Sequence, residues 1–145
     1  MTDELVIWLR AALDEDERMA RAVTQGAWKL WGMDVMADPN GTSNYNTAVF
    51  VARTHHHAGL LTHNAQHIAT WDPARALAEV DAKRRILDYC ETMFRNDRIA
   101  NSHSNLLFDS MRDKLKLLTI QAAKTLRLLA LPYADRPGYR EEWAP

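Results

Sequence analysis

The stretch of about residues 105–131 constrains the fold most, because its apolar residues recur every three or four positions over a length that favours a helix. The main apolar stripe consists of Leu107, Met111, Leu115, Leu118, Ala122, Leu126 and Leu129. A second stripe consists of Leu106, Leu117, Ile120, Leu128 and Leu131. Since a helix that is apolar on two sides is buried on two sides, this helix is either central in the fold or packs against a second subunit as well. The pattern therefore favours a homo-oligomer, most simply a dimer.

Three further helical segments are indicated. Thr2 or Asp3 can cap a first amphipathic helix at about residues 3–24. Asp72 followed by Pro73 is a specific start signal for a helix at about residues 73–97. A helical segment at about residues 58–70 precedes it. Pro132 ends the last helix, and residues 132–145 are expected to form an extended tail.

Residues 27–53 predict a β-hairpin. The segments "AWKLWGMDVMA" and "YNTAVFVAR" are rich in aromatic and β-branched residues, and "DPNGTSN" between them is typical of a turn. An isolated hairpin is marginally stable in water, so it should lie against the helices or another chain. The predicted fold is therefore α+β and mainly α, a three- to four-helix bundle with a β-hairpin inserted after the first helix.

Length and composition favour one soluble domain. The 145 residues are 47% hydrophobic and 26% charged, which is ordinary for a single globular domain covering residues 1–145. The start "MTDELVIWLR" does not resemble a secretory signal, and no long apolar run predicts a membrane span. Cys90 is the only cysteine, so an internal disulfide is excluded. We expect a cytoplasmic protein that does not act at a membrane.

The stretch from Thr54 to His67 contains five of the six histidines. His63 and His67 are one helical turn apart, a spacing that suits a divalent metal such as zinc, with Asp16 as a third ligand and His56 or His103 as further candidates. The intervening "HNAQH" lacks the glutamate of an "HExxH" peptidase. The alternative is that His67 packs in the core and hydrogen-bonds a carboxylate such as Asp16.

A second group of candidates is cationic or aromatic. Arg75, Lys83, Arg84 and Arg85 lie on one helix and could contact phosphate, but the net charge of −1 and the lack of a recognition motif make nucleic acid an unlikely partner. Tyr139 and Trp143 in the tail could bind a partner or dock on the body of the protein. Cys90 lies on an apolar stripe and is most simply a core residue.

Three stretches together resemble a known family. They are "WLRAALDEDERMAR" near the start, "HIATWDPARALAEVDAKRRIL" in the middle and "LRLLALPYADRPGYREEW" at the end. In this order they resemble the actinobacterial and actinophage domain-of-unknown-function family 6221. Trp71 and Arg136 stand where that family commonly has histidine. The resemblance implies an actinobacterial or phage setting and no particular activity.

No complete catalytic set occurs, so the sequence favours a small non-catalytic interaction protein, phage-encoded and acting on a host protein or other host macromolecule. Two alternatives stay open. One is a metal-dependent, hydrolase-like helical bundle that uses His63, His67 and a carboxylate. The other is a nucleic-acid-binding protein that uses the basic side of the Asp72 helix.

Overall fold

Four helices and three strands account for most of the chain that the computed structural model describes. It describes residues 2–32, 34–53, 60–102 and 106–145, with only the backbone at 60–62 and 106–110. In chain order the elements are α1 (Thr2–Ala22), β1 (Ala27–Trp31), β2 (Asp34–Asp38), β3 (Val49–Arg53), α2 (Leu60–Thr70), α3 (Pro73–Ser102) and α4 (Leu106–Ala130). The mainly helical α+β class is therefore confirmed.

The predicted helix ends agree with the structure to within a few residues, with one exception. The start of α3 is as expected, because the Arg75 backbone N–H donates to the Asp72 carboxylate at 2.8 Å. Its end is at Ser102, five residues beyond the predicted position. Residues 58–59 of the predicted helical segment lie outside the described part of the chain.

The chain divides into two compact units, Met1–Asp14 with Ala82–Pro145, and Glu15–Asp81. The divisions fall inside α1 and α3, and we describe each unit by itself. The prediction of one domain over residues 1–145 is not decided by this division and stays a prediction.

The first unit is a helical bundle built on apolar stripes. Leu9 and Leu13 of α1, Leu87 of α3 and Leu129 of α4 line one small apolar space together with Tyr133. The fully buried side chains of this unit include Leu9, Leu13, Leu87, Cys90 and Leu126. Burying a leucine contributes about 1.5–3 kcal/mol, so these stripes hold the three helices together.

The tail folds onto this bundle. It contains two 3-10 turns, Leu131–Tyr133 and Glu141–Trp143, so the expectation of a wholly extended tail is wrong. Trp143 is buried, and its ring centroid lies 5.3 Å from that of Trp8 and 5.9 Å from that of Tyr139. The Trp8 indole N–H donates to the Pro137 carbonyl at 3.1 Å. The aromatic rings anchor the tail because together they bury a large apolar area.

The second unit contains an antiparallel sheet with the strand order β1-β2-β3. We predicted a hairpin of two strands, but the first of these is interrupted at Gly32, whose φ of 63° belongs to the left-handed region. The turn at Gly32 therefore divides the predicted first strand into the antiparallel pair β1 and β2. The "DPNGTSN" loop connects β2 with β3. The hairpin thus gains a third strand.

Helix α2 covers one face of the sheet. Val35, Ala65 and Ala69 form a buried cluster, against which Trp28 and Ile68 pack with other apolar residues. On the opposite face the loop after β2 returns over the sheet, and Tyr45 contacts Trp31 edge to face at 5.6 Å between ring centroids. Tyr45 thus covers part of Trp31, and Phe50 of β3 remains 51% exposed.

Candidate interaction surface

The side of α4 that points away from its buried stripe is apolar. Leu126 is fully buried, and Leu117, nine residues earlier, lies on the opposite side of the helix at about 100° per residue. The exposed fractions are 58% for Leu117, 56% for Ile120, 51% for Leu128 and 44% for Leu131. We call these four residues, with Lys124 between them, the outer face of α4. Leu131 is the first residue of the following 3-10 turn.

The outer face corresponds to the second stripe of the sequence. We predicted that this stripe is buried, in the fold or against another subunit. Burial within the fold is wrong, because the stripe is exposed in the single chain, and burial against another subunit stays a prediction. The main stripe is buried at Ala122 and Leu126, but Met111 and Leu118 are also exposed. The side chains of Leu106 and Leu107 lie outside the described part.

The surroundings of the outer face are basic. Residues 111–131 contain five basic residues and a single acidic one, Asp113. Lys114, Lys116 and Lys124 are exposed, and none of them forms an ion pair with another side chain that the structure describes. Arg127 is half-buried and donates to the Ala144 carbonyl at 3.4 Å. The face therefore combines apolar anchors with uncompensated positive charge.

Leu117, Lys124 and Leu131 follow one another at intervals of seven residues. This is the spacing with which a helix presents one seam to another helix, with Ile120 and Leu128 beside it. A single lysine in such a seam costs stability and selects the partner, because the residue that faces it has to satisfy the charge. The arrangement suits recognition of another helix.

The buried charges of the second unit serve its fold. The Arg53 guanidinium donates to both oxygens of Asp34, at 2.7 and 3.0 Å, and this hydrogen bonding lowers the pKa of Asp34. Asp38 accepts the backbone N–H groups of Thr42 and Ser43 at 3.1 and 2.8 Å, and Lys29 lies at 3.3 Å. The Ser43 N–H, with the help of Lys29 and Thr42, lowers the pKa of Asp38. Neither carboxylate was among the predicted site residues, although an aspartate before "PNG" is a recognisable turn signal.

The predicted basic residues are used within the chain. The Arg75 guanidinium lies 4.4 Å from the Trp71 ring centroid, and Arg84 donates to Asp14 at 2.5 Å. Lys83 donates to the Tyr133 hydroxyl at 3.0 Å, and Arg85 is exposed. Arg75, Lys83 and Arg84 therefore already contact other side chains of the protein. A role of these residues in nucleic-acid binding stays a prediction.

The predicted metal ligands lie on α2 and α1. His63 and His67 are exposed on α2, and Asp16 on α1 is half-buried. The alternative prediction was that His67 packs in the core. This is wrong, because Ala65 and Ala69 occupy the side of α2 that packs on the sheet. Its ring lies 6.1 Å from that of Trp71.

Over residues 2–32, 34–53, 60–102 and 106–145, no three His, Cys, Asp or Glu residues form a group that could hold a metal ion. His55, His56, His57 and His103 lie outside these ranges. The metal site on His63, His67 and Asp16 stays a prediction.

The remaining candidates are buried or half-buried. Cys90 is 1% exposed, and burial raises the pKa of its thiol, so it lacks the thiolate character of a nucleophile. Trp143 is 2% exposed and Tyr139 is half-buried, both against Trp8. For the Trp143 ring to contact a partner, the tail would have to detach from Trp8 of α1. A binding role of these two aromatic residues stays a prediction.

Among the described residues, none of the helices has the length and hydropathy that a membrane span requires.

Comparisons with known proteins agree with the three sequence motifs. No curated protein and no solved structure matches the chain. The model of the family of unknown function DUF6221 matches residues 2–145, which is nearly the whole chain. The chain therefore belongs to the DUF6221 family, as its three motifs predicted.

Proposed function

We propose that this chain is a non-catalytic interaction protein that binds a partner macromolecule through the outer face of α4. The observation that carries the proposal is the exposure of Leu117, Ile120, Leu128 and Leu131 on one side of a single helix. Contiguous exposed apolar residues with a polar rim are typical of binding surfaces.

The energetics support binding at this face. Each of the four side chains still exposes about half of its surface. Covering that half contributes on the order of 1 kcal/mol per side chain. Aliphatic anchors in the centre of an interface with charged residues around them are a common arrangement in protein complexes. The lysines beside the anchors would then affect the rate of association and the choice of partner.

The buried polar groups support a non-catalytic role. Asp34 and Asp38 are saturated by hydrogen bonds within the second unit, and Cys90 is a buried thiol with a raised pKa. Groups that take part in catalysis need access to a substrate and a pKa near the working pH. These three groups have neither.

The setting of the partner is also part of the proposal. We propose that the chain acts in the cytoplasm, and that it is phage-encoded and binds a component of the host cell. The resemblance of its motifs to actinobacterial and actinophage proteins supports this setting.

An affinity experiment tests the binding face. The purified full chain is immobilised and exposed to an extract of the cells that naturally contain it. The double variant Leu117→Ser with Leu128→Ser is compared with Ile7→Ser, since Ile7 is 69% exposed on α1. We expect the native chain and Ile7→Ser to retain the same partner, and the double variant to retain at least about tenfold less, because two apolar anchors are lost.

Circular dichroism of all variants provides the control, because substitutions at exposed positions should leave the helical signal unchanged. Equal retention by the native chain and the double variant would refute the assignment of the face. If Ile7→Ser retained as little of the partner as the double variant, the capture would depend on exposed apolar surface in general.

A further inference from the structure

We propose that the segment bound by the outer face of α4 is an acidic amphipathic helix of another protein. This inference rests on the proposed function and names the chemistry of the partner. Three properties of the outer face carry it: the seven-residue spacing, the charge around the seam and the position of Lys124. Each limits what can cover the face.

The spacing favours a helix as the occupant. Leu117, Lys124 and Leu131 form one line at seven-residue intervals, and Ile120 and Leu128 widen it to a narrow stripe. Such a stripe matches the row of apolar side chains at positions three and four residues apart on another helix. A helix of about three heptads would cover the whole outer face.

The charge favours an acidic helix. Lys114, Lys116 and Lys124 are exposed without an ion pair to another described side chain, and Asp113 is the one acidic residue in 111–131. Covering the face removes Lys124 from water, and this costs free energy unless a carboxylate faces it. The partner should therefore have an acidic residue opposite Lys124 and further acidic residues beside its apolar stripe.

A second copy of the chain is the less suitable occupant. A symmetric pairing centred on the outer face would place Lys124 against the same residue of the second copy, and like charges in contact are unfavourable. The acidic residues near the end of α1 are already compensated, since Glu15 pairs with Arg18 and Glu17 with Arg21. The homodimer predicted from the second stripe is therefore an outcome that the experiment distinguishes.

An anionic membrane surface also fits less well. Helices that lie in a membrane interface have an uninterrupted apolar side, often with Trp or Phe, and keep their cations on the polar side. On the outer face Lys124 interrupts the apolar side, and no aromatic residue belongs to it. A carboxylate of a protein helix can satisfy this lysine directly.

Two synthetic peptides test the inference. Both are amphipathic helices of about three heptads with leucine in the seam and glutamate beside it, and they differ only in one central seam residue, which is glutamate or lysine. Their affinities for the native full chain and for Lys124→Glu are measured by fluorescence anisotropy. Arg95→Glu, which makes the same change of charge at an exposed position on α3, is the matched control.

We expect the native chain to prefer the glutamate peptide by about tenfold or more, since the lysine peptide replaces an attraction with a repulsion. Lys124→Glu should reverse the preference, and Arg95→Glu should retain it. Added salt should reduce the preference because exposed charges are screened.

Several results would overturn the inference. Equal affinities for the two peptides, or a preference that Lys124→Glu does not change, would show that charge does not select the partner. Binding to phosphatidylserine vesicles without binding to either peptide would identify a membrane surface. The third result is a dimer in sedimentation that Lys124→Glu does not affect, together with no binding of either peptide. It would identify a second copy of the chain as the occupant of the outer face. In each case the affinity experiment with Leu117→Ser and Leu128→Ser tests the binding face independently.

Discussion

At the scale of single residues, two buried carboxylates organise the second unit. Asp38 is 3% exposed and closes the loop after β2 by accepting two backbone N–H groups. Asp34 holds β3 through the paired hydrogen bonds with Arg53. The sequence could place Asp38 in a turn, but its burial depends on the return of the loop over the sheet. Residue patterns that are local in sequence do not show this return.

Asp38→Asn should lower the melting temperature at neutral pH, on the order of 5 °C, because a charged acceptor of two backbone N–H groups becomes neutral. Since the folded-state pKa of Asp38 lies below the unfolded value of about 4, its contribution is present above that pH and is lost as the pH falls through the folded-state pKa. The difference between the native chain and the variant should therefore be constant at neutral pH and shrink below about pH 4.

Thermal unfolding followed by circular dichroism between neutral and acidic pH measures this difference. Asp135→Asn removes a carboxylate from an exposed position and is the control, for which we expect little change. A difference for Asp38→Asn that persists unchanged in acid would contradict the assigned role of the charge.

At the scale of elements, the periodicity of the sequence predicted the helices well and their surroundings less well. The two stripes on α4 were evident from the spacing of leucines. Periodicity shows which side of a helix is apolar, but it does not show whether another element of the same chain covers that side. The second stripe was expected to be buried, and in the single chain it forms the exposed outer face.

Two other elements show where local signals fail. The predicted end of α3 lay at the polar residues Asn96 and Asp97, but the helix continues to Ser102, and Ala100 in the added turn is 1% exposed. Tertiary burial thus overrides a local stop signal. In the sheet, the sequence pattern predicts one long strand through Gly32, but the left-handed φ of this glycine creates a turn. The signal was visible, since glycine inside a strand pattern often marks a break.

Two leucines of α4 test the assignment of its sides. Leu126 is fully buried and Leu128 is 51% exposed, and both are on the same helix. Leu126→Ala should reduce the free energy of unfolding by about 2–5 kcal/mol, because it removes buried methyl groups and leaves a cavity. Leu128→Ala should reduce it by about 1 kcal/mol or less, because half of that side chain is already exposed in the folded chain.

Urea unfolding at a fixed protein concentration gives both values. Losses of equal size would show that the outer face is buried in solution. Unfolding repeated at a higher protein concentration would then attribute the burial to a second copy if the stability increased.

At the scale of the whole molecule, the distribution of charge determines what the surface can bind. The net charge is only −1, yet residues 111–131 have five basic residues against one acidic residue. On α1 and α3 the charged residues largely pair with one another, as Arg84 does with Asp14 and Arg10 with Glu91. The uncompensated cations beside exposed leucines on α4 therefore form the surface that favours a partner. Residues 73–131 contain eleven basic and seven acidic residues, and only the pairing of side chains shows where that charge is available.

The most direct test of the central claim is photo-crosslinking in cells that naturally contain the chain. Benzoylphenylalanine is introduced in place of Leu128 on the outer face, or in place of Ile7 on α1 as an exposed control. We predict a covalent adduct with a partner protein from position 128 and none with that protein from position 7. The same adducts from both positions, or no adduct from position 128, would contradict the claim that the outer face of α4 is the binding surface.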